Sequence, residues 1–192
     1  MQPESVVAES AQSLETLLRS RRTIHDFEPQ LPPRESIVAA IEQARWVPNH
    51  HATEPWHFYL LGPETAEGVA ALNRDLVAAK RGEEAGRQKY ERWSAIPGWL
   101  VVTCDRSDDE IRQQEDYASC CCAIHNLSLS LWGEGIGIKW TTGAVTRDPA
   151  FYDLIWVDPA VEQVVGLVWY GYPSVVPQIS RKGVDAYLVS LP

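Results

Sequence analysis

Clustered positive charge is what this sequence has least of. Its 17 Lys and Arg stand against 26 Asp and Glu, giving a formal net charge of -9 and a pI ≈ 5.0. Nucleic-acid binding needs basic side chains gathered to neutralise phosphates, so that class of partner is disfavoured. No apolar run approaches the roughly 18 residues of a membrane span. The first basic residue is Arg19, after Glu4, Glu9 and Glu15, which fits neither a secretory signal nor a transit peptide. A cytoplasmic location is the default expectation. Internal repeats and low-complexity tracts are absent, and the expectation is one domain over residues 1–192.

Several chemistries also lack their residues. There is no Gly-x-Ser-x-Gly elbow, and His25, His50, His51, His57 and His125 pair with no obvious nucleophile. Cys104, Cys120, Cys121 and Cys122 form no Cys-x-x-Cys spacing, so a structural zinc site is not expected. On a helix, consecutive residues point about 100° apart. The Cys triplet therefore cannot face one metal, and reads as small apolar packing residues. His50, His51, Glu54 and His57 resemble a metal cluster only superficially, because the adjacent histidines diverge and Pro55 breaks any common helical face. No metal site is expected.

What is present is a sequence that is 45% hydrophobic with eight Trp, enough for a real core. Apolar periodicity predicts a helix over Val7 to Arg19 and another from Pro33, with Ile37, Ala40, Ile41 and Ala44 on one face and Pro48 as the stop. WHFYLL reads as a buried strand. A helix follows from Pro63 to about Ala79, then KRGEEAGRQKYERW, a mobile surface segment or a short helix. WLVVTC, GIKWTT and QVVGLVWYGYP are the remaining strands. Ser107 with Glu110 suggests a capping box for a long, largely apolar central helix, ended by Gly133 and Gly135. A short helix is expected near Pro149 to Ile155. Two helices precede any strand and there is no regular βαβ alternation, which favours an α+β layer fold.

Two segments could carry chemistry. Arg19-Ser20-Arg21-Arg22 is the densest basic cluster, and Thr23 adds a hydroxyl. Such arginines could hold a phosphate with forked donors, or simply complement a helix C-terminus. Gly133 to Lys139, GEGIGIK, superficially resembles a dinucleotide fingerprint. It has the wrong context, since a helix precedes it and a strand follows.

Taken together, LLRSRRTIHDFEPQLPPRESIVAAIEQARWVPNHHATEPWHFYLL resembles the opening of the flavin nitroreductase family. It has an RRS-like triplet, F-x-P, an amphipathic helix, a P-x-H loop and PW before a strand. GIGIKWTTGA resembles that family's glycine-rich turn and flavin-contacting strand end. VVGLVWYGYPSVVPQISRK resembles its terminal G-x-P strand with trailing basic residues. The resemblance covers most of the chain, weakly over residues 64–98, and is nearest to the short bacterial branch with a P-D-H loop and a W-x-x-G segment. It implies a three-layer α/β/α sandwich around a mixed, largely antiparallel sheet. It implies a homodimer with FMN at the subunit interface and NAD(P)H as co-substrate. By resemblance, Arg21, Arg22 and Thr23 hold the FMN phosphate and part of the ring, and His50 contacts the flavin. Trp140, Thr141, Thr142 and Gly143 lie alongside the isoalloxazine, with a backbone N–H at its N5. Arg181 and Lys182 sit where late basic residues help bind phosphate.

The chain departs from the pattern at Ala52 and Glu54, where the common branch has Asn and Gln, and at Trp46, where the short branch often has Arg. A carboxylate at Glu54 would oppose the charge of reduced flavin, so it should point away, pair with an Arg, or lower the potential. The implied activity is transfer of hydride or electrons from NAD(P)H to a nitro compound, quinone or enone, with no obligatory catalytic side chain. The alternatives are an FMN-binding sensor or carrier, a flavin-processing enzyme, or a helical metal-binding protein.

Overall fold

The structure, a computed structural model, describes residues 14–192. The part of the first expected helix before Leu14 lies outside the described residues. Residues 14–20 are helical (α1). There follow α2 (Arg34–Ala44), β1 (Trp56–Leu60), α3 (Pro63–Arg81), α4 (Glu83–Ser94), β2 (Gly98–Asp105), α5 (Glu110–Gly133), β3 (Gly137–Thr141), α6 (Pro149–Ile155) and β4 (Glu162–Gly171). No helix among the described residues is long and apolar enough to cross a membrane.

The four strands form one sheet in the order β1-β2-β4-β3, with every neighbour antiparallel. A parallel link is added at its edge, where Thr23 bridges Ile138. The sheet is sandwiched between α2 with α5 on one face and α3, α4 and α6 on the other. The inner strands β2 and β4 are nearly continuous apolar runs because both their faces are covered. On one face Leu100, Val102, Ile124, Leu127 and Leu131 interlock; on the other Trp93, Trp99 and Trp169 meet edge to face at 5.0–5.7 Å. Each such aromatic pair contributes about 0.5–1.5 kcal/mol beyond its buried area.

Four expectations change in detail. WHFYLL lies at the edge of the sheet and is only half-buried, with His57 exposed and its Nε2 2.7 Å from Asp105 Oδ1. An apolar run does not say on which side a strand will find a neighbour. KRGEEAGRQKYERW is largely helix: Gly82, at φ 90, separates α3 from α4. The two helices then pack so closely at Gly86 that a Cβ there would lie 2.8 Å from Ala78 Cβ. The cap of α5 is Asp109, whose Oδ1 accepts from the N–H groups of Ile111 and Arg112. Ser107 instead accepts from Asp109 N–H, so no capping box forms with Glu110. Helix α2 ends at Ala44, short of Pro48.

Candidate functional site

The first basic cluster is fixed by the edge of the sheet. After α1, the chain runs beside β3: Ile24 N–H donates to Ile138 O at 2.9 Å, and Thr23 bridges Ile138. Ile24 crosses directly over Gly137, where a Cβ would stand 2.3 Å from Ile24 Cγ1, so this approach requires glycine. The result is a cavity of about 210 Å³ lined by Arg21, Thr23, Ile138 and Trp140, with Ile124, His125 and Ser128 of α5.

The two arginines have different work. Arg22 Nη1 donates to the carbonyls of Arg19 and Arg21, at 2.6 and 2.9 Å, and its Nε donates to Pro177 O at 3.2 Å. It closes the end of α1 and ties down the C-terminal tail. Arg21 Nε, by contrast, is buried with no hydrogen-bond partner among the described residues. Burial, then the nearby charges of Arg181 and Arg22, push the Arg21 guanidinium below its ordinary pKa. Among the described residues, these mutually repelling guanidinium groups around an unpartnered donor have no counter-charge. A bound anion would supply it.

Trp140 is set by a defect in the sheet. The β2–β4 register slips between Val102 and Thr103, leaving Val165 as an extra residue in β4. Its carbonyl accepts from Trp140 Nε1 at 3.2 Å. The next residue is Gly166, where a Cβ would come within 2.0 Å of that same Nε1. The bulge and the glycine together seat the indole across β4. Beyond it the chain turns through Thr141, Thr142 and Gly143. Gly143 O accepts from Thr146 N–H and Oγ1, at 3.2 and 2.9 Å, which closes the turn Ala144–Arg147. Thr142 lines a separate cavity at this end of the sheet.

His50 and Glu54 stand elsewhere on the chain. Their loop is stapled to the first half of α5: His50 Nδ1 lies 2.8 Å from Glu115 Oε2, Ser119 Oγ donates to Pro48 O, and Thr53 Oγ1 donates to Asp116. Asn49 Oδ1 accepts from Glu54 N–H at 2.8 Å, and His51, Ala52 and Glu54 all have positive φ. Glu54 and Trp46 are exposed. From Glu115 to His125 the helix rises by about 15 Å at 1.5 Å per residue. Within one chain, therefore, the loop and the Arg21 cavity are apart. Arg181 and Lys182 are on the exposed tail, and Arg181 acts electrostatically on Arg21. No group of three potential metal ligands occurs among the described residues. A further cavity of about 490 Å³, between Trp93, Trp99 and Tyr170, contains none of these residues.

Residues 18–172 match the Nitroreductase family. The chain belongs to that family. Among curated proteins, "Putative NAD(P)H nitroreductase YfhC" of Bacillus subtilis is 27% identical over 173 residues, covering 88% of this chain and 89% of that protein. Among solved structures, a nitroreductase-like family protein from Bacillus cereus superposes with a TM-score of 0.81 at 26% identity, covering 92% of this chain and 95% of the other. A Bacteroides fragilis nitroreductase with bound FMN shares the fold, with a TM-score of 0.71, 19% identity and 92% and 96% coverage.

For this nitroreductase-family chain, sequence reasoning missed four contributors to the corner beside β3: His125, Ser128, Val165 and Gly166. His125 and Ser128 carry only the helical i, i+3 spacing as a signal. The Val165 bulge has none beyond the glycine that follows it.

Proposed function

We propose that this protein is an FMN-dependent oxidoreductase, active as a homodimer, that passes hydride from NAD(P)H to an electron-poor organic acceptor such as a nitro compound, quinone or enone. The observation that carries this reading is the buried, unpartnered Arg21 Nε in the cavity it shares with Thr23 and Trp140. The names of the curated relatives and the FMN held by structural neighbours supply the cofactor and donor. The residues present fit FMN. Arg21 offers a charged donor needing an anion, Arg181 adds positive potential, and Thr23 adds a hydroxyl. Trp140, seated by Gly166, and the Thr141–Gly143 turn supply a flat apolar wall and backbone N–H groups for a ring. Arg22 acts indirectly, by holding the helix end and the tail in place. When bound, FMN supplies a ring that accepts a hydride equivalent from NAD(P)H and gives it up to an acceptor.

Two observations support the dimer. The tail exposes Val175, Val176, Ile179, Val184, Tyr187, Leu188, Val189 and Leu191, each at least 49% accessible. Such a concentration of apolar surface favours a protein partner. In addition, the His50–Glu54 loop is fixed about 15 Å along α5 from the Arg21 cavity, and in this reading it serves the cavity of a second copy. Lys182, on the same tail, would add to the phosphate site.

The deciding measurement is the visible spectrum of the purified protein before and after anaerobic NAD(P)H. Flavin absorbance that bleaches on reduction and returns with an acceptor is expected. A protein that stays colourless after FMN is added would sink the reading. Bound FMN untouched by either nucleotide would make it a carrier instead. Sedimentation should give a dimer; a monomer that binds FMN equally well would remove the shared-site argument.

A further inference from the structure

Beside the Trp140–Gly143 segment lies a second cavity, of about 470 Å³, whose chemistry the flavin reading does not use. Thr142 and Val165 form the wall it shares with that segment; Tyr117 of α5 and Tyr152 of α6 form others. Its charged lining residues are Arg106 and Arg147, and none of its lining residues is acidic. In a protein of net charge -9 this is a local reversal of sign.

Both arginines come from fixed turns at one end of the sheet. Arg106 follows β2, where its N–H donates to Val161 O at 2.8 Å and its Nε to Pro159 O at 2.6 Å. The carbonyl braces the guanidinium through Nε, one nitrogen of the fork, and Arg106 lines the cavity. Arg147 ends the turn that Gly143 O closes. It lies near enough to Tyr117 to counteract the upward pull of burial on that hydroxyl's pKa. Two forked cations, two phenol rings and two threonines thus surround a space suited to a one-ring or two-ring aromatic molecule, and too small for a whole dinucleotide.

We infer that this cavity is the acceptor subsite, and that the acceptor carries an acidic group, a carboxylate or a phosphate, held between Arg106 and Arg147. The inference rests on the flavin reading for the chemistry that follows binding, but not for the binding itself. The acid fixes one end of the acceptor so that its electron-poor end lies toward the Trp140–Thr142 wall. A charge-assisted contact of this kind is worth about tenfold or more in affinity.

The test uses the whole protein and two probes of matched size, 4-nitrobenzoate and 4-nitrobenzyl alcohol. Calorimetry on the protein as purified should show 4-nitrobenzoate binding about tenfold more tightly than the alcohol. Arg147→Gln and Arg106→Gln should each reduce that ratio, and the double variant should bring it near unity. With FMN and NADPH present, the kcat/KM ratio of acid to alcohol should fall in parallel. Circular dichroism and FMN titration would establish that each variant folds and takes up flavin. No preference for the acid, or a preference that survives the double substitution, would overturn the inference. So would substitutions that raise KM for NADH, but not for neutral 1-benzyl-1,4-dihydronicotinamide, while the acid preference stays intact, because the arginines would then serve the donor's phosphates. Failure of the protein to take up FMN would defeat the flavin reading alone, since the calorimetric ratio would still decide whether this cavity selects acids.

Discussion

The two faces of the sheet treat their polar groups differently. On the face covered by α3, α4 and α6, Tyr59 and Thr103 both donate to Glu162, and Tyr90 donates to Glu67. The buried donors left unpartnered there are neutral: Asn73 Nδ2, Trp93 Nε1 and Trp169 Nε1. At the β3 edge, on the α5 side, the unpartnered donor belongs to a guanidinium, with further arginines beside it. A neutral N–H left among aromatic rings costs about 1–3 kcal/mol, which dense packing can offset. Even a half-buried guanidinium such as Arg21, with its Nε out of reach of water and no counter-charge among the described residues, is costlier to leave so. Both faces carry core, but among the described residues the β3 edge alone adds a charged unpartnered donor, and the anion of the proposed function would answer it.

Four experiments would break or sharpen that contrast. The largest effect on stability should come from the closed face. Phe151 is fully buried, so Phe151→Ala should lower the unfolding free energy by about 3–5 kcal/mol in urea denaturation. A loss below 1 kcal/mol would mean this layer is not what holds the domain. Arg21→Ala should do the reverse. FMN affinity should drop by a factor equivalent to about 1.5–3 kcal/mol in a fluorescence titration. The FMN-free protein should unfold no more easily than wild type. If instead affinity held and stability fell, Arg21 would be structural.

Gly166→Ala lies between the two faces. Its methyl must displace the Trp140 indole and disturb the bond to Val165 O, at a cost of about 1–3 kcal/mol in stability. Tryptophan emission and FMN affinity should change together; an unaltered Trp140 environment would show that the bulge does not seat the ring. The smallest effect is in the pH dependence of the closed face. Burial, and then the Glu162 carboxylate, push the Tyr59 hydroxyl from 10.0 to about 12. The unfolded chain therefore releases this proton before the folded one does. The stabilising contribution is complete below pH 10 and is lost as the pH rises through about 12. Tyr59→Phe should flatten the alkaline limb of a stability profile, and an unchanged slope would remove Tyr59 as its source.

Much of this architecture is legible in the chain. Largely apolar WLVVTC and VVGLVWY announce inner strands, and the apolar circumference of residues 118–131 announces the helix that covers them. KRGEEAGRQKYERW was harder. Its charge density leaves helix and mobile segment equally open, and the close approach at Gly86 and the burial of Trp93 that settle it are tertiary contacts without a periodic trace. The Ser107–Glu110 pattern misled because Asp109, a residue equally able to cap, sat between them.

The candidate site divides in the same way. Arg21, Thr23 and Trp140 share a cavity within one chain, while His50 and Glu54 are fixed about 15 Å away along α5. Sequence order cannot express that separation, because a motif lists residues without saying how far apart the fold sets them.

By itself, the sequence determined which segments become helix and strand, residues 80–93 apart, the acidic surface, and the presence of a basic triplet ahead of the first strand. These follow from local periodicity, side-chain shape and composition. Only the tertiary structure decided which arginine closes a helix end and which has no counter-charge among the described residues. It also decided that a bulge at Val165 seats Trp140, and that Arg106 and Arg147 share a cavity. Those outcomes depend on contacts between residues far apart in the chain, whose geometry is fixed only when the layers close.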